Sequence, residues 1–211
     1  MIPETSRLLA FVVASFALVV IPGPNLVYVL TRSVSQGRRS GVCSALGVET
    51  GTLVHIAAAV FGLSALIARS EVAYATLKYA GAAYLVHLGV RAVRQPGALD
   101  LSGTAARTPL VTVFRDGVLV NVLNPKVALF FLAFLPQFVG SGADTAGARG
   151  QMLVLGAVFF VVALALDLVW AVAGGRLGGW LRDRPRILRR QPHAVGAVYI
   201  ALGLFAVVPA L

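Results

Sequence analysis

The chain has 211 residues, 58% of them hydrophobic and 12% charged, with a mean hydropathy of +0.87. A soluble domain carries about 25% charged residues, so a surface covered by water is excluded, and the long apolar blocks point to lipid as the solvent. The net charge of +10 does not mark a nucleic-acid binder, because the basic residues sit in short segments between apolar blocks, where membrane topology accounts for them.

The first apolar run, residues 8–21, has the length of a signal-peptide core. Glu4 and Arg7 make a poor basic n-region, however, and no A-x-A site follows. The apolar character resumes after Pro24 and continues to Leu30. The sequence therefore predicts one spanning helix over 8–30, interrupted at Ile21-Pro22-Gly23-Pro24-Asn25. Five more blocks reach the roughly 20 residues that a span needs: 42–68, 71–93, 110–138, 151–175 and 193–210. None shows the strict alternation of a transmembrane β-strand.

Helix 2 (42–68) carries Cys43, the only cysteine, so an internal disulfide or a cysteine metal cluster is excluded. It also carries Glu49, with Gly47 and Gly51 nearby in a spacing that lets helices approach closely. Helix 3 (71–93) holds Lys78 and the stretch Gly81-Ala82-Ala83-Tyr84-Leu85. Helix 4 (110–138) is interrupted at Leu123-Asn124-Pro125-Lys126. Helix 5 (151–175) holds Asp167 on a stripe with Ala163, Ala171 and Gly174, so the acid is expected to face the bundle. The run Arg182–Arg190 is read as orientation plus contact with anionic lipid. Helix 6 (193–210) repeats helix 3 as Gly196-Ala197-Val198-Tyr199-Ile200.

The arginines order these helices. Segments after helices 1, 3 and 5 hold 13 arginines, and the opposite side holds Arg7, Arg69 and Arg149. This bias places the rich loops in the cytoplasm and both termini outside. The matched proline breaks and the repeated G-A-x-Y stretch make helices 1–3 and 4–6 copies. An odd number of spans per copy forces the two to run in opposite directions. The expected architecture is an all-α integral membrane protein: a six-helix bundle of two inverted three-helix repeats, with broken helices 1 and 4. It forms a single transmembrane domain over 1–211, with repeat A about 1–95 and repeat B about 110–211.

The breaks locate the chemistry. Proline removes a backbone donor, and in lipid the freed carbonyls must find partners in protein or water. Two breaks at corresponding places point to a central polar cavity. Half-helices starting near Asn25 and Lys126 would aim amides into it, which suits a carboxylate. Glu49 and Asp167 are each a functional candidate, since an acid at membrane depth costs about 2.5–3.5 kcal/mol on insertion scales. Both are expected roughly 10–12 Å inside the cytoplasmic face, where they can carry a proton or hold an ammonium. Lys126 and Lys78 are the cations that could pair with them, Lys126 also with a substrate carboxylate. His55 and His87 read as hydrogen-bonded helix residues and His193 as interfacial. The histidines have no metal-ligand spacing, and no phosphate loop or catalytic motif is present, so no cofactor is expected.

Taken in order, Ile21-Pro22-Gly23-Pro24-Asn25, Gln36-Gly37-Arg38-Arg39-Ser40-Gly41, Leu77-Lys78-Tyr79-Ala80-Gly81-Ala82-Ala83-Tyr84-Leu85, Asn121-Val122-Leu123-Asn124-Pro125-Lys126-Val127-Ala128-Leu129-Phe130-Phe131 and Leu135-Pro136-Gln137-Phe138 resemble the LysE superfamily, in its homoserine/threonine exporter (RhtB) branch. Asp167 followed by Trp170 also resembles that family's acidic helix-5 position. The resemblance implies efflux of small neutral or basic amino acids, homoserine-, threonine- or leucine-like ones included, through the inner membrane by proton antiport. The partners would be an amino acid, protons and anionic lipid, and not nucleic acid. Oligomeric state, a homo-oligomer included, is open at this level. The alternatives are a cation or metal exporter of the same superfamily and a non-transport membrane subunit or enzyme. An enzyme should show a clustered nucleophile, base or metal set, and none is visible.

Overall fold

In the computed structural model the described residues are 4–63, 71–94, 108–140 and 145–182, with a few positions between 193 and 204. Every described element is a helix. They are α1 (Thr5–Val20), α2 (Pro24–Gln36), α3 (Arg38–Ala57), α4 (Glu71–Arg94), α5 (Leu110–Val122), α6 (Pro125–Leu129) and α7 (Thr145–Arg182). A wider π turn, Ala58–Leu63, continues α3. Phe130–Phe134 and Leu135–Phe138 carry α6 onward as a π and a 3-10 segment. Two stretches are long and apolar enough to cross a membrane, Arg38–Gly62 and Ala146–Gly174. Two bent pairs qualify if each is one span: α1 with α2, at 53°, and α5 with the helix after Pro125, at 46°. The chain is a helical membrane protein.

The bends fall at the two predicted breaks, and their cause is local. Pro24 and Pro125 each occupy the first turn of a new helix, where a missing N–H costs nothing. Asn124 caps the second of these, its Oδ1 accepting from the Lys126 amide at 3.0 Å. Gly23 caps the first without a side chain. Gly37 separates α2 from α3 and has the only positive φ among the described residues, 83°, a conformation that β-carbons resist.

α7 spans 38 residues, well beyond the 151–175 read from hydropathy. Arginine is a good helix former, so Arg149 and Arg176 bound the apolar stretch without ending the helix. α3 likewise starts at Arg38, four residues before the apolar block. The sixth predicted block and the Arg182–Arg190 run lie largely outside the described residues, as does the Tyr199 half of the G-A-x-Y repeat.

Two apolar clusters organise the bundle. One joins Phe11 and Leu18 of α1, Phe130, Phe131, Phe134 and Phe138 after the second break, and Met152, Leu155 and Phe159 of α7. The other joins Val29 of α2, Ala45 and Val48 of α3, and Ala171 of α7. Along each of these chains the polar candidates fall between the clusters: the first break after Leu18 and before Val29, and Asp167 after Phe159 and before Ala171.

α3 and α5 meet with almost no side chain between them. A β-carbon on Gly117 would stand 2.9 Å from the Ser44 carbonyl, one on Gly51 2.8 Å from Asn121 Cβ, and one on Gly47 would collide with the Phe114 carbonyl. Small residues let helices pack this closely in a membrane. The contact fixes the register of Glu49, which lies between Gly47 and Gly51.

Candidate functional site

Asp167, Glu49, Asn25 and Lys126 line one small void, with Thr52 and Leu18. It measures about 20 Å³, room for about one water. All three charged residues are buried, with 3% exposure at Glu49, 3% at Asp167 and 5% at Lys126. Ala163 and Ala171 are buried on the same stripe of α7 as Asp167, so the acid faces the bundle interior.

The carboxyls of Glu49 and Asp167 are direct neighbours that interact electrostatically, and Lys126 acts on Asp167. Glu49 Oε2 is buried without a hydrogen-bond partner. Such atoms are uncommon in folded proteins and call for an explanation, such as a water, an ion or a catalytic role. Lys126 is not in ion-pair contact with either acid. Its ammonium donates to the Leu18 carbonyl at 2.9 Å and the Ile21 carbonyl at 3.1 Å.

Helix geometry explains this choice. In a continuous helix the Leu18 carbonyl would accept from the amide of residue 22. That residue is Pro22, which has none. Ile21 would be served by residue 25, but the chain turns away at the break. Lys126, from the second break, supplies both missing donors. Gly23 makes the space: a β-carbon there would lie 3.1 Å from Lys126 Nζ.

The second break is repaired in the same manner. Pro125 leaves the Asn121 carbonyl without its usual donor. The Asn124 amide reaches it at 2.9 Å, and His55 Nε2 reaches it at 3.0 Å. A carbonyl only accepts, so Nε2 carries the ring proton. The His55 ring stacks on Phe131, with centroids 6.1 Å apart. The Asn121 side chain clamps α3 beside Glu49, donating to the Val48 carbonyl and to Thr52 Oγ1. The two breaks also touch each other, because Asn124 Nδ2 donates to Asn25 Oδ1 at 2.8 Å.

The half-helices are not equivalent as amide donors. The Lys126 amide is taken by the Asn124 cap. At α2 no side chain caps the terminus, and the Asn25 and Leu26 amides have no partner among the described residues. Val127 of α6 also lines the void, and its amide has no partner among the described residues either, so both half-helices offer amides there, two from α2 and one from α6.

A second polar group lies at the far end of α2. Arg32 approaches Asp116 at 3.8 Å and donates to Thr108 Oγ1 at 2.8 Å, and it lies over the Tyr28 ring. Tyr28 donates to the Val113 carbonyl at 2.7 Å. These contacts fasten α2 to the start of α5.

Of the predicted site residues, Glu49, Asp167, Asn25 and Lys126 line the void, and Pro22, Gly23, Pro24, Asn124 and Pro125 shape it. The Pro24 and Pro125 rings themselves point outward and are exposed. Lys78 belongs to α4, and its side chain lies outside the described residues. Thr52 and Asp116 escaped the sequence reading, and Asn121 entered it only as part of the family motif, not as a site residue. Asn121 did carry a signal: it is four residues before Pro125, where a proline orphans the carbonyl. Among the described residues no three His, Cys, Asp or Glu side chains gather as a metal site.

Comparison with known proteins gives this geometry a family. A profile of LysE type translocators matches residues 16–209. A homoserine/homoserine lactone efflux protein of Salmonella typhimurium is 32% identical over 194 residues, covering 92% of both chains. A leucine efflux protein of Salmonella choleraesuis is 30% identical over 162 residues, covering 75% of this chain and 71% of its own. An uncharacterised membrane protein of Pseudomonas aeruginosa is 33% identical, covering 92% and 91%. No solved structure matches the chain significantly. A match that takes in both breaks, both acids and nearly the whole sequence leaves one conclusion: the chain belongs to the LysE type translocator family, whose named members here are amino-acid efflux proteins.

Proposed function

We propose that the protein exports amino acids from the cytoplasm in exchange for protons, using the void between the two breaks as its substrate site. The observation that carries this reading is the meeting of two acids, one lysine and a set of free amides at the junction of two broken helices. An amino acid is an ammonium and a carboxylate on one carbon. Asp167 and Glu49 suit the ammonium, and Lys126 with the α2 amides suits the carboxylate. A proton and the ammonium then compete for the same carboxylates, so loading one releases the other.

The proposed frame is six spans in two inverted repeats, a single domain in the inner membrane with both termini outside. In this frame the Arg32–Asp116 group closes the cytoplasmic side and the phenylalanine cluster closes the outside. The void is too small for any amino acid, so this conformation is closed to both. The names of the relatives place homoserine and leucine among the first solutes to test.

Two experiments check the reading. Cells overproducing the protein should tolerate an excess of a toxic amino acid or dipeptide and hold a smaller internal pool of it. Unchanged pools across a broad panel, with the protein present in the membrane, rule out export. Reporter fusions after Gln36, Leu101 and Pro185 should read cytoplasmic, and those after Ser70 and Gly142 external. Reversal at two or more sites rules out the topology.

Pro24→Ala and Pro125→Ala should insert normally yet transport at a small fraction of the wild-type rate, because each proline presets the first turn of a half-helix that walls the void. Wild-type rates in both variants would reduce these prolines to packing kinks.

A further inference from the structure

We infer that Lys126 is the specificity-determining residue that couples carboxylate recognition to opening of the first break. It does so by exchanging the Leu18 and Ile21 carbonyls for the substrate carboxylate. The inference rests on the reading of the void as an amino-acid site.

The argument starts from what the ammonium holds. It has three N–H donors, and two are committed to carbonyls that α1 cannot serve itself. These are neutral acceptors. A carboxylate reaching the void offers an ionised acceptor, and such hydrogen bonds are roughly twice as strong. The substrate therefore outcompetes the carbonyls for the same ammonium. Gly23 leaves no side chain to hold Lys126 in place, and the ammonium sits at the end of a flexible four-carbon stem.

Once Lys126 turns to the substrate, the Leu18 and Ile21 carbonyls lose their donors in a lipid-depth, water-poor setting. That state is unfavourable until the break bends further and water or other groups reach them. Binding thus destabilises the closed arrangement of α1 and α2, and this differential interaction is what a ligand needs in order to shift a conformational equilibrium. Asn124 hands the movement on, because its amide joins the neighbouring Asn25 at 2.8 Å. An amine without a carboxylate can occupy the acids but cannot draw Lys126 away. It should bind weakly and leave the break closed.

Pro22→Ala gives the test an unusual sign. Ile21 is extended there, with ψ 123°, as the residue before a proline tends to be. The substitution frees Ile21 to turn helical and supplies an amide that then reaches the Leu18 carbonyl, so Lys126 is held less firmly at rest and the substrate has less to displace. The experiment measures equilibrium binding of radiolabelled L-leucine and L-homoserine to purified full-length protein, alongside their decarboxylated amines, 3-methylbutylamine and 3-aminopropan-1-ol. Maximal efflux from vesicles is measured in parallel. Wild type should prefer the amino acids over the amines. Pro22→Ala should bind the amino acids about tenfold more tightly, the equivalent of one hydrogen bond to a charged group, while its maximal efflux falls. Lys126→Met should lose the preference for the carboxylate. Because Lys126→Met leaves two buried carbonyls bare and can misfold, Pro22→Ala/Lys126→Met repeats the measurement with one of them repaired. The double variant should be folded, more heat-stable than Lys126→Met and indifferent to the carboxylate.

Unchanged or weaker amino-acid binding in Pro22→Ala overturns the exchange. So does retained carboxylate preference in the double variant. If wild type exports neither amino acid nor any other in a broad panel, the export reading itself fails. If wild type exports them and only the variants disobey, this inference alone fails.

Discussion

Replacing Asp167 by Asn is expected to bring gradient-driven efflux down to the rate of vesicles lacking the protein. The substitution keeps the shape of the side chain and removes its ability to take up a proton. Asp167 is 3% exposed, lines the void and interacts with both Glu49 and Lys126. An ionisable group in that position must be compensated or protonated, because an unpaired charge at membrane depth is costly. The Asn variant offers one state where the wild type offers two, so the exchange of ammonium for proton has no second half. Residual movement should respond to the amino-acid gradient and ignore the pH gradient. Folding should survive, since the amide fits the same space between Ala163 and Ala171. If Asp167→Asn keeps gradient-driven efflux and Glu49→Gln loses it, the proton belongs to Glu49. Retention in both variants rules out coupling through these acids.

The second large effect is structural. Gly47→Leu should prevent the protein from reaching a monodisperse folded form. A β-carbon at residue 47 already collides with the Phe114 backbone carbonyl, and backbone cannot rotate aside as a side chain can. α3 and α5 would have to separate, at a cost of about 3 kcal/mol or more. That separation also breaks the Asn121 bonds to Val48 and Thr52, each worth about 0.6–1.7 kcal/mol in a membrane protein. Asn121→Ala removes those bonds without the collision. It should lower thermal stability by about 1–3 kcal/mol on the same scale and loosen the position of Glu49. Size-exclusion profiles in detergent distinguish the cases: a sharp folded peak for Gly47→Leu would contradict this packing.

The sequence carries the membrane character, the breaks and the two acids because each is a local statement. A proline in an apolar run orphans a carbonyl wherever the helix goes, and an acid at lipid depth needs a reason in any fold. The resemblance to LysE proteins rests on the same residues. What sequence leaves open is which group answers which need. Lys126 reads as the partner of an acid or a substrate carboxylate, whereas its ammonium is engaged by carbonyls 105 and 108 residues away. His55 reads as an ordinary hydrogen-bonded histidine. Its partner, the carbonyl that Pro125 leaves bare, becomes visible only when α3 lies against α5. Asn121 and Thr52 are unremarkable in one dimension and adjoin Glu49 in three. Helix ends are the weakest part of the sequence reading, since hydropathy reports where lipid stops and α7 continues past it on both sides.

Export by proton exchange is tested most directly with purified protein in vesicles preloaded with an amino-acid panel that includes L-homoserine and L-leucine. Efflux is followed with and without a pH gradient, acidic on the side that receives the amino acid. The expected result is loss of at least one amino acid that the gradient accelerates, accompanied by proton entry and abolished by Asp167→Asn. Efflux equal in rate with and without the gradient, with no proton movement, would contradict it.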